Sequence, residues 1–438
     1  MKKIMILAAS AALVLAGCAK NDVFQNTTDQ NAVSFGVYVP KSVDTKATYG
    51  TQTTTTLQTD GFGVLAYYTN DGAYSAAATP NFMYNTKVST ASWTYSPIKY
   101  WPNEHGSAAA SAAVDKLSFF AYAPWIDVTV GADESAAKTP FYPAADQGIT
   151  KISGNSATGD PLVYFTVPTK GSEQIDLLWG VAAADATNEA VQGTNTITTG
   201  LPLKDLIKQQ VDGKVKFDFK HALAKLDFKV QAIVDDDETA STAVAANTKI
   251  FVRKVEVIGR FNTSGVLNLN NVSAGVAKWQ APFTTNAGTD PIYIFNDGKS
   301  DSDDLTADAS ESDDIADQFV LFANEGVTKT ATKLLKAGKE FMIIPTDLTT
   351  NKLTVKVTYD IETADPNLAG TLTDGTTHGI KVKNVITTAV PLAINFENGK
   401  VYTIVLKLGL TSVKMEAVVT DWDTTVADVN TDLPKNVD

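Results

Sequence analysis

Period-two alternation of apolar and polar residues recurs along this chain. It runs through Val215-Lys216-Phe217-Asp218-Phe219, Leu226-Asp227-Phe228-Lys229-Val230, Leu353-Thr354-Val355-Lys356-Val357 and Val401-Tyr402-Thr403-Ile404-Val405. A strand sends successive side chains to opposite faces, so such runs bury one face and wet the other. Long helical periods are scarce, and Thr and Val, which favour a pleated backbone, are abundant. Many short strands separated by Gly, Asn and Asp turns predict an all-β chain made of β-sandwiches. At 438 residues the chain has room for two domains, with three as the alternative, each with its own core. The polar composition change near 200–214 places their boundary there, giving 47–210 and 211–438.

The first residues read as a targeting segment. Lys2 and Lys3 supply the positive start, and 4–16 is apolar but too short to span a bilayer. Leu15-Ala16-Gly17-Cys18 then has the pattern of a lipoprotein signal-peptidase site. Residues 1–17 are therefore expected to be a signal peptide, with Cys18 as the lipidated residue. Cys18 is the only cysteine, which leaves no disulfide, no thiolate metal site and no free catalytic thiol. No other apolar run is long enough to cross a membrane.

Charge and chemistry narrow the function. The chain carries 36 basic and 49 acidic residues, a net charge of −13. Nucleic acids and anionic lipids need a basic face, so neither is expected as a partner. His105, His221 and His378 lie in separate segments and form no helical metal pair. His221 is expected at a strand boundary with a backbone partner. No nucleophile elbow, phosphate loop or zinc-protease motif is present. The acidic stretch 296–317 lacks the ligand spacing and central glycine of a calcium loop and reads as a solvated turn. No enzyme activity, metal or cofactor is expected. Trp93, Trp101, Trp125, Trp179, Trp279 and Trp422 sit mostly in apolar stretches, which favours core over an exposed sugar platform.

Along the chain, 32–39 is expected as the first strand, with Val33, Phe35, Val37 and Val39 on one face. Residues 40–60 are Thr/Lys-rich and expected as an exposed flexible loop. Strands are expected at 62–68, 117–124, 161–168, 175–182, 249–259, 319–323, 340–345, 352–361, 379–385 and 401–409. Residues 82–85 and 93–95 read as a hairpin, 126–160 as a long loop, 203–210 as a short helix, and 221–226 as a small turn or helical bend between strands.

Several stretches together resemble the fimbrillin family, the subunits of type V pili. They are Trp93-Thr94-Tyr95-Ser96-Pro97-Ile98-Lys99-Tyr100-Trp101-Pro102, Leu117-Ser118-Phe119-Phe120-Ala121-Tyr122-Ala123-Pro124 and Asp176-Leu177-Leu178-Trp179-Gly180. Further on come Phe219-Lys220-His221-Ala222-Leu223-Ala224-Lys225-Leu226, Asn398-Gly399-Lys400-Val401-Tyr402 and Val419-Thr420-Asp421-Trp422. The resemblance implies two tandem transthyretin-like β-sandwich domains and a lipoprotein precursor exposed on the outer membrane. A trypsin-like protease then removes the propeptide, here 18–46, with its first strand. The opened groove accepts a C-terminal segment from another copy or a related fimbrial subunit.

Mapped onto this chain, the plug strand carries Val33, Phe35, Val37 and Val39, and Asp44-Thr45-Lys46-Ala47 matches the cleavage position. Many relatives have Arg there. Arg253 and Arg260 are the only arginines, and both fall in a strand region, so the cut is expected between Lys46 and Ala47. The donor is expected within 412–432, on Val413, Met415, Ala417 and Val419 and then Val426 and Val429. Such a tail favours a stalk subunit. A tip or anchor adhesin and a carbohydrate-binding surface lipoprotein are the alternatives.

Overall fold

The computed structural model describes residues 32–38, 52–75, 77–102, 115–128, 147–168, 174–186, 196–232, 248–286, 292–296, 320–321, 331–334, 341–350, 353–371, 378–389, 394–408 and 413–422. These residues are almost entirely β. The first sheet runs in the order β1 (Ser34–Tyr38), β9 (Lys214–His221), β7 (Leu178–Ala182), β4 (Leu117–Ala123), β2 (Phe62–Tyr68), β3 (Met83–Val88), with β8 (Leu203–Leu206) also on β4. Beside it lies a sheet of β13 (Lys278–Thr285), β12 (Asn262–Asn268), β6 (Leu162–Thr166) and β5 (Gly148–Ile152).

Two further sheets complete the body. One runs β16 (Thr332–Lys333), β10 (Ala224–Ala232), β22 (Lys400–Leu408), β23 (Val413–Asp421), with β17 (Phe341–Ile343) on β10. The other runs β14 (Ile292–Asn296), β11 (Thr248–Ile258), β19 (Thr354–Ala364), β20 (Gly379–Ala389), with β15 (Val320–Leu321) on β11. A small ribbon pairs β18 (Thr346–Asp347) with β21 (Asn395–Phe396). Among the described residues only β1–β9 and β10–β22 pair in parallel.

The first sheet is covered on both faces, which explains why β4 reads as a continuous apolar run. Phe120 and Tyr122 enter one core with Leu65, Tyr67, Val163, Phe165 and Trp179. Phe119 and Ala121 enter the opposite core with Phe62, Val64, Phe217 and the helix residue Leu57. In the second sandwich, Leu226, Phe228 and Val230 of β10 pack with Ile404 and Leu406 of β22 against Val355, Val357 and Tyr359 of β19. A bulge between Val252 and Lys254 in β11 brings Val252 and Val255 to the same core.

Four expectations differ from this structure. Residues 203–210 form β8, paired with β4 at Leu203 and Leu206, and then a 3-10 turn at Lys208–Val211. Tertiary pairing overrides the local helical pattern there. Within 40–60, the helix α1 (Thr54–Asp60) forms. Its N-cap Thr53 accepts from the Thr56 amide at 3.2 Å, while the Thr56 hydroxyl accepts from the Thr53 amide at 2.7 Å. One buried residue, Leu57, anchors it, and one apolar residue makes no detectable period. The 82–85/93–95 hairpin is replaced by β3, which pairs with β2; only the Ser89–Thr94 bridge turns the chain back. The stretch 126–160 contains β5.

The hydrogen bonding also runs across the division placed at 210/211. β9 pairs with β1 and β7, and β12 pairs with β6, so strands from beyond 211 complete the sheets of the N-terminal half. The chain passes into the second sandwich between His221 and Ala224, where the turn was expected.

Candidate functional site

The N-terminal strand closes the edge of the first sheet. β1 runs parallel to β9 in the register Ser34–Lys214 to Tyr38–Asp218. Val33 and Phe35 are 2% and 4% exposed, and Val37 is half-buried against the same cluster. Phe35 sits in an aromatic box. Its ring lies 5.4 Å from Tyr95 and 6.2 Å from each of Phe62, Phe119 and Phe217. The strand thus covers an apolar seam and does not hang in solvent.

The Trp93–Pro102 motif supplies the clasp. The Val33 amide donates to the Lys99 carbonyl at 2.9 Å, and the Tyr95 hydroxyl donates to the Val33 carbonyl at 2.8 Å. Burial raises the Tyr95 hydroxyl above its ordinary value. The Gly213 carbonyl accepts from both Trp101 Nε1 and the Ser34 amide at 3.2 Å. Gly213 has φ +73°, a turn that any side chain would strain. Motif residues distant in sequence therefore hold one strand in one groove. At about 1.5–3 kcal/mol per fully buried side chain, Val33 and Phe35 alone contribute on the order of 3–6 kcal/mol to that seat.

A second node gathers the other motifs. His221 Nδ1 lies 2.9 Å from Asp176 Oδ1, and the two are 1% and 0% exposed. Asp176 Oδ2 accepts from the Gln52 amide at 2.8 Å. The indole of Trp422 stacks on the His221 ring at 4.1 Å and 3° from parallel, and the Lys225 ammonium lies over the indole at 5.4 Å. The Trp422 amide donates to the Gly399 carbonyl, and the Gly399 amide to the Leu223 carbonyl, each at 2.9 Å. His221 thus has a carboxylate for a partner, where a backbone group was expected. The pair is buried beneath Trp422. The sequence signal was only that Asp176, His221 and Trp422 each sit in a distinctive motif.

Four of the residues expected in the donor strand lie among the described residues. Val413, Met415, Ala417 and Val419 lie in β23, paired antiparallel with β22 from Lys400–Asp421 to Leu408–Val413. Ala417 is buried and Val419 is 48% exposed. Alternation suits an edge strand of the chain's own sheet as well as a donated one, and the sequence does not distinguish them. Cys18, Val39, Lys46, Ala47, Val426 and Val429 lie outside the described residues.

Trp101, Trp179 and Trp422 are buried, and Trp93, Trp125 and Trp279 are half-buried. Among the described residues, no cluster of three or more His, Cys, Asp or Glu is placed to hold a metal ion, and no helix is long and apolar enough to cross a membrane.

These features define a β-sandwich protein whose own N-terminal strand closes the edge of its first sheet under an aromatic clasp. The model of the fimbrillin-like family matches residues 45–422, and the chain belongs to that family. Fimbrium subunit Fim1C of Phocaeicola vulgatus is 29% identical over 379 residues, which cover 81% of this chain and 85% of that protein. The crystal structure of a fimbrial protein from Bacteroides vulgatus aligns with a TM-score of 0.59 at 22% identity, covering 90% of this chain and 99% of that one. That likeness is one of fold.

Proposed function

We propose that this chain is a structural subunit of a cell-surface fimbrium, made as an outer-membrane lipoprotein through Cys18 and polymerised by strand exchange. Cleavage between Lys46 and Ala47 separates β1 from the body. The groove beside β9 then takes a strand from another subunit. The observation that carries this reading is the seat of β1: an edge strand, parallel to β9, with Phe35 boxed by four aromatic rings. Losing it would bare an apolar seam and a row of unpaired backbone groups, which a donated strand satisfies.

Because Val413–Asp421 is engaged with β22, the donor is assigned to the segment after Trp422, with Val426 and Val429 as its apolar residues. The partners are further copies of this chain or related subunits, together with a maturation protease that accepts lysine. The test is to treat the purified chain with a lysine-specific protease and follow SDS-resistant ladders. The intact chain should form ladders only after cleavage. The chain truncated after Trp422 should fold, be cut and stay monomeric. Ladders from the truncated chain would sink the assignment of the tail.

A further inference from the structure

We infer that Asp176, His221 and Trp422 form a mooring that positions and couples the roots of the two segments used in assembly. This rests on the strand-exchange reading given above. Gln52 is six residues downstream of Lys46 and so belongs to the new N-terminal segment after the cut. Trp422 is the residue from which the tail departs. Both are held by one buried pair. Asp176 uses one oxygen for His221 at 2.9 Å and the other for the Gln52 amide at 2.8 Å. His221 in turn carries the Trp422 indole on its face at 4.1 Å.

The geometry makes the three residues act on one another. Trp422, 7% exposed itself, is packed flat on the imidazole and helps keep the Asp176–His221 contact in a dry setting. A hydrogen bond is stronger where water is excluded. Taking the indole away lets water compete for His221 and Asp176 and so loosens the carboxylate that orders Gln52. In the other direction, Asp176→Asn leaves one acceptor oxygen for two partners, so the Gln52 amide and His221 compete for it. The Asn398-Gly399 turn braces the arrangement, with the Asn398 amide on the His221 carbonyl at 3.4 Å and Gly399 at φ +68°. Asp176 and His221 are thus positioning residues: they fix where the tail leaves the body and where the processed end begins.

Amide hydrogen exchange on the uncut, full-length chain tests this. Protection of the Gln52 amide should fall about tenfold in Trp422→Ala and in Asp176→Asn, the scale expected for loss of one buried hydrogen bond. In the double variant the fall should be less than the product of the two, which is the sign of a shared contact. Val357→Ala, a core truncation in the second sandwich, serves as the control matched for global stability. If Val357→Ala lowers Gln52 protection as much as Trp422→Ala at equal loss of stability, the coupling is overturned. A His221→Gln chain that retains wild-type protection at Gln52 also overturns it. The exchange readout needs no polymer. Failure of wild-type ladders with the coupling intact therefore counts against strand exchange alone, and normal ladders with additive exchange effects count against the mooring alone.

Discussion

The Tyr95 hydroxyl donates to the carbonyl of Val33 at 2.8 Å, fastening the chain's first strand to a motif more than fifty residues away. The same hydroxyl accepts from the Lys99 amide at 3.2 Å, so one phenol organises both the clasp and the strand it holds. Tyr95→Phe keeps the ring against Phe35 and removes only these bonds. Leaving a buried carbonyl and amide unpaired costs about 1–3 kcal/mol. Thermal unfolding should shift down by a few degrees, and the Val33 amide should exchange faster with solvent. Unchanged melting and exchange would mean that the hydroxyl is dispensable to the clasp.

Phe35→Ala acts on the other side of the contact. The side chain lies between four rings and leaves a cavity when truncated, at a cost of about 3–5 kcal/mol. Most of that loss falls on the seating of β1. Release of the strand, read by dye binding to the bared seam, should therefore precede melting of the second sandwich. Simultaneous loss of both would count against an independently seated strand.

Gly180→Ala tests the floor of the groove indirectly. A Cβ at Gly180 would stand 2.8 Å from Phe217 and 3.1 Å from Ala121. Phe217 is the ring stacked on Phe35, 14° from parallel, so displacing it disturbs the seat of β1 without touching that strand. Overpacking of this kind costs about 1–3 kcal/mol. Urea unfolding should report that loss, and Phe35→Ala in the same chain should be less harmful than it is alone.

Asp160 predicts an acid dependence. Burial pushes its carboxyl up. Hydrogen bonds from Asn268 at 2.9 Å and Asn270 at 2.8 Å, with the Lys278 ammonium at 3.3 Å, outweigh that and hold it below the usual carboxylate range. A carboxyl lowered in the folded state stabilises the fold above its unfolded value, and the contribution is lost as pH falls through the folded one. The wild-type urea midpoint should therefore drop from pH 6 towards about pH 3 more steeply than that of Asp160→Asn. Equal slopes would show that the carboxylate contributes nothing there.

Much of the fold is legible where one face is wet. β9 alternates buried and half-buried positions along its length, and β10, β19 and β22 begin or run close to where their patterns place them. The burial of Val33 and Phe35 on one face of β1 follows from the same rule. What escapes is set by tertiary contacts. α1 rests on Leu57 alone, β8 on pairing with β4, and β13 is an edge strand whose exposed residues give no pattern. The Asp176–His221–Trp422 node escapes for a related reason. Forty-five residues separate Asp176 from His221, and nothing local announces that a carboxylate and an imidazole will be buried together. Likewise, Val413–Val419 has the alternation of a donor, but only the register with β22 reveals that it is already paired.

The alignment of β1 along β9 has a mechanical meaning. A strand held in that place and pulled along its own axis meets the load in shear: the backbone bonds from Ser34 to Tyr38 are strained together and must fail together, whereas a peeled strand would surrender them one by one. A filament whose links are seated this way resists tension with its whole contact length at each joint.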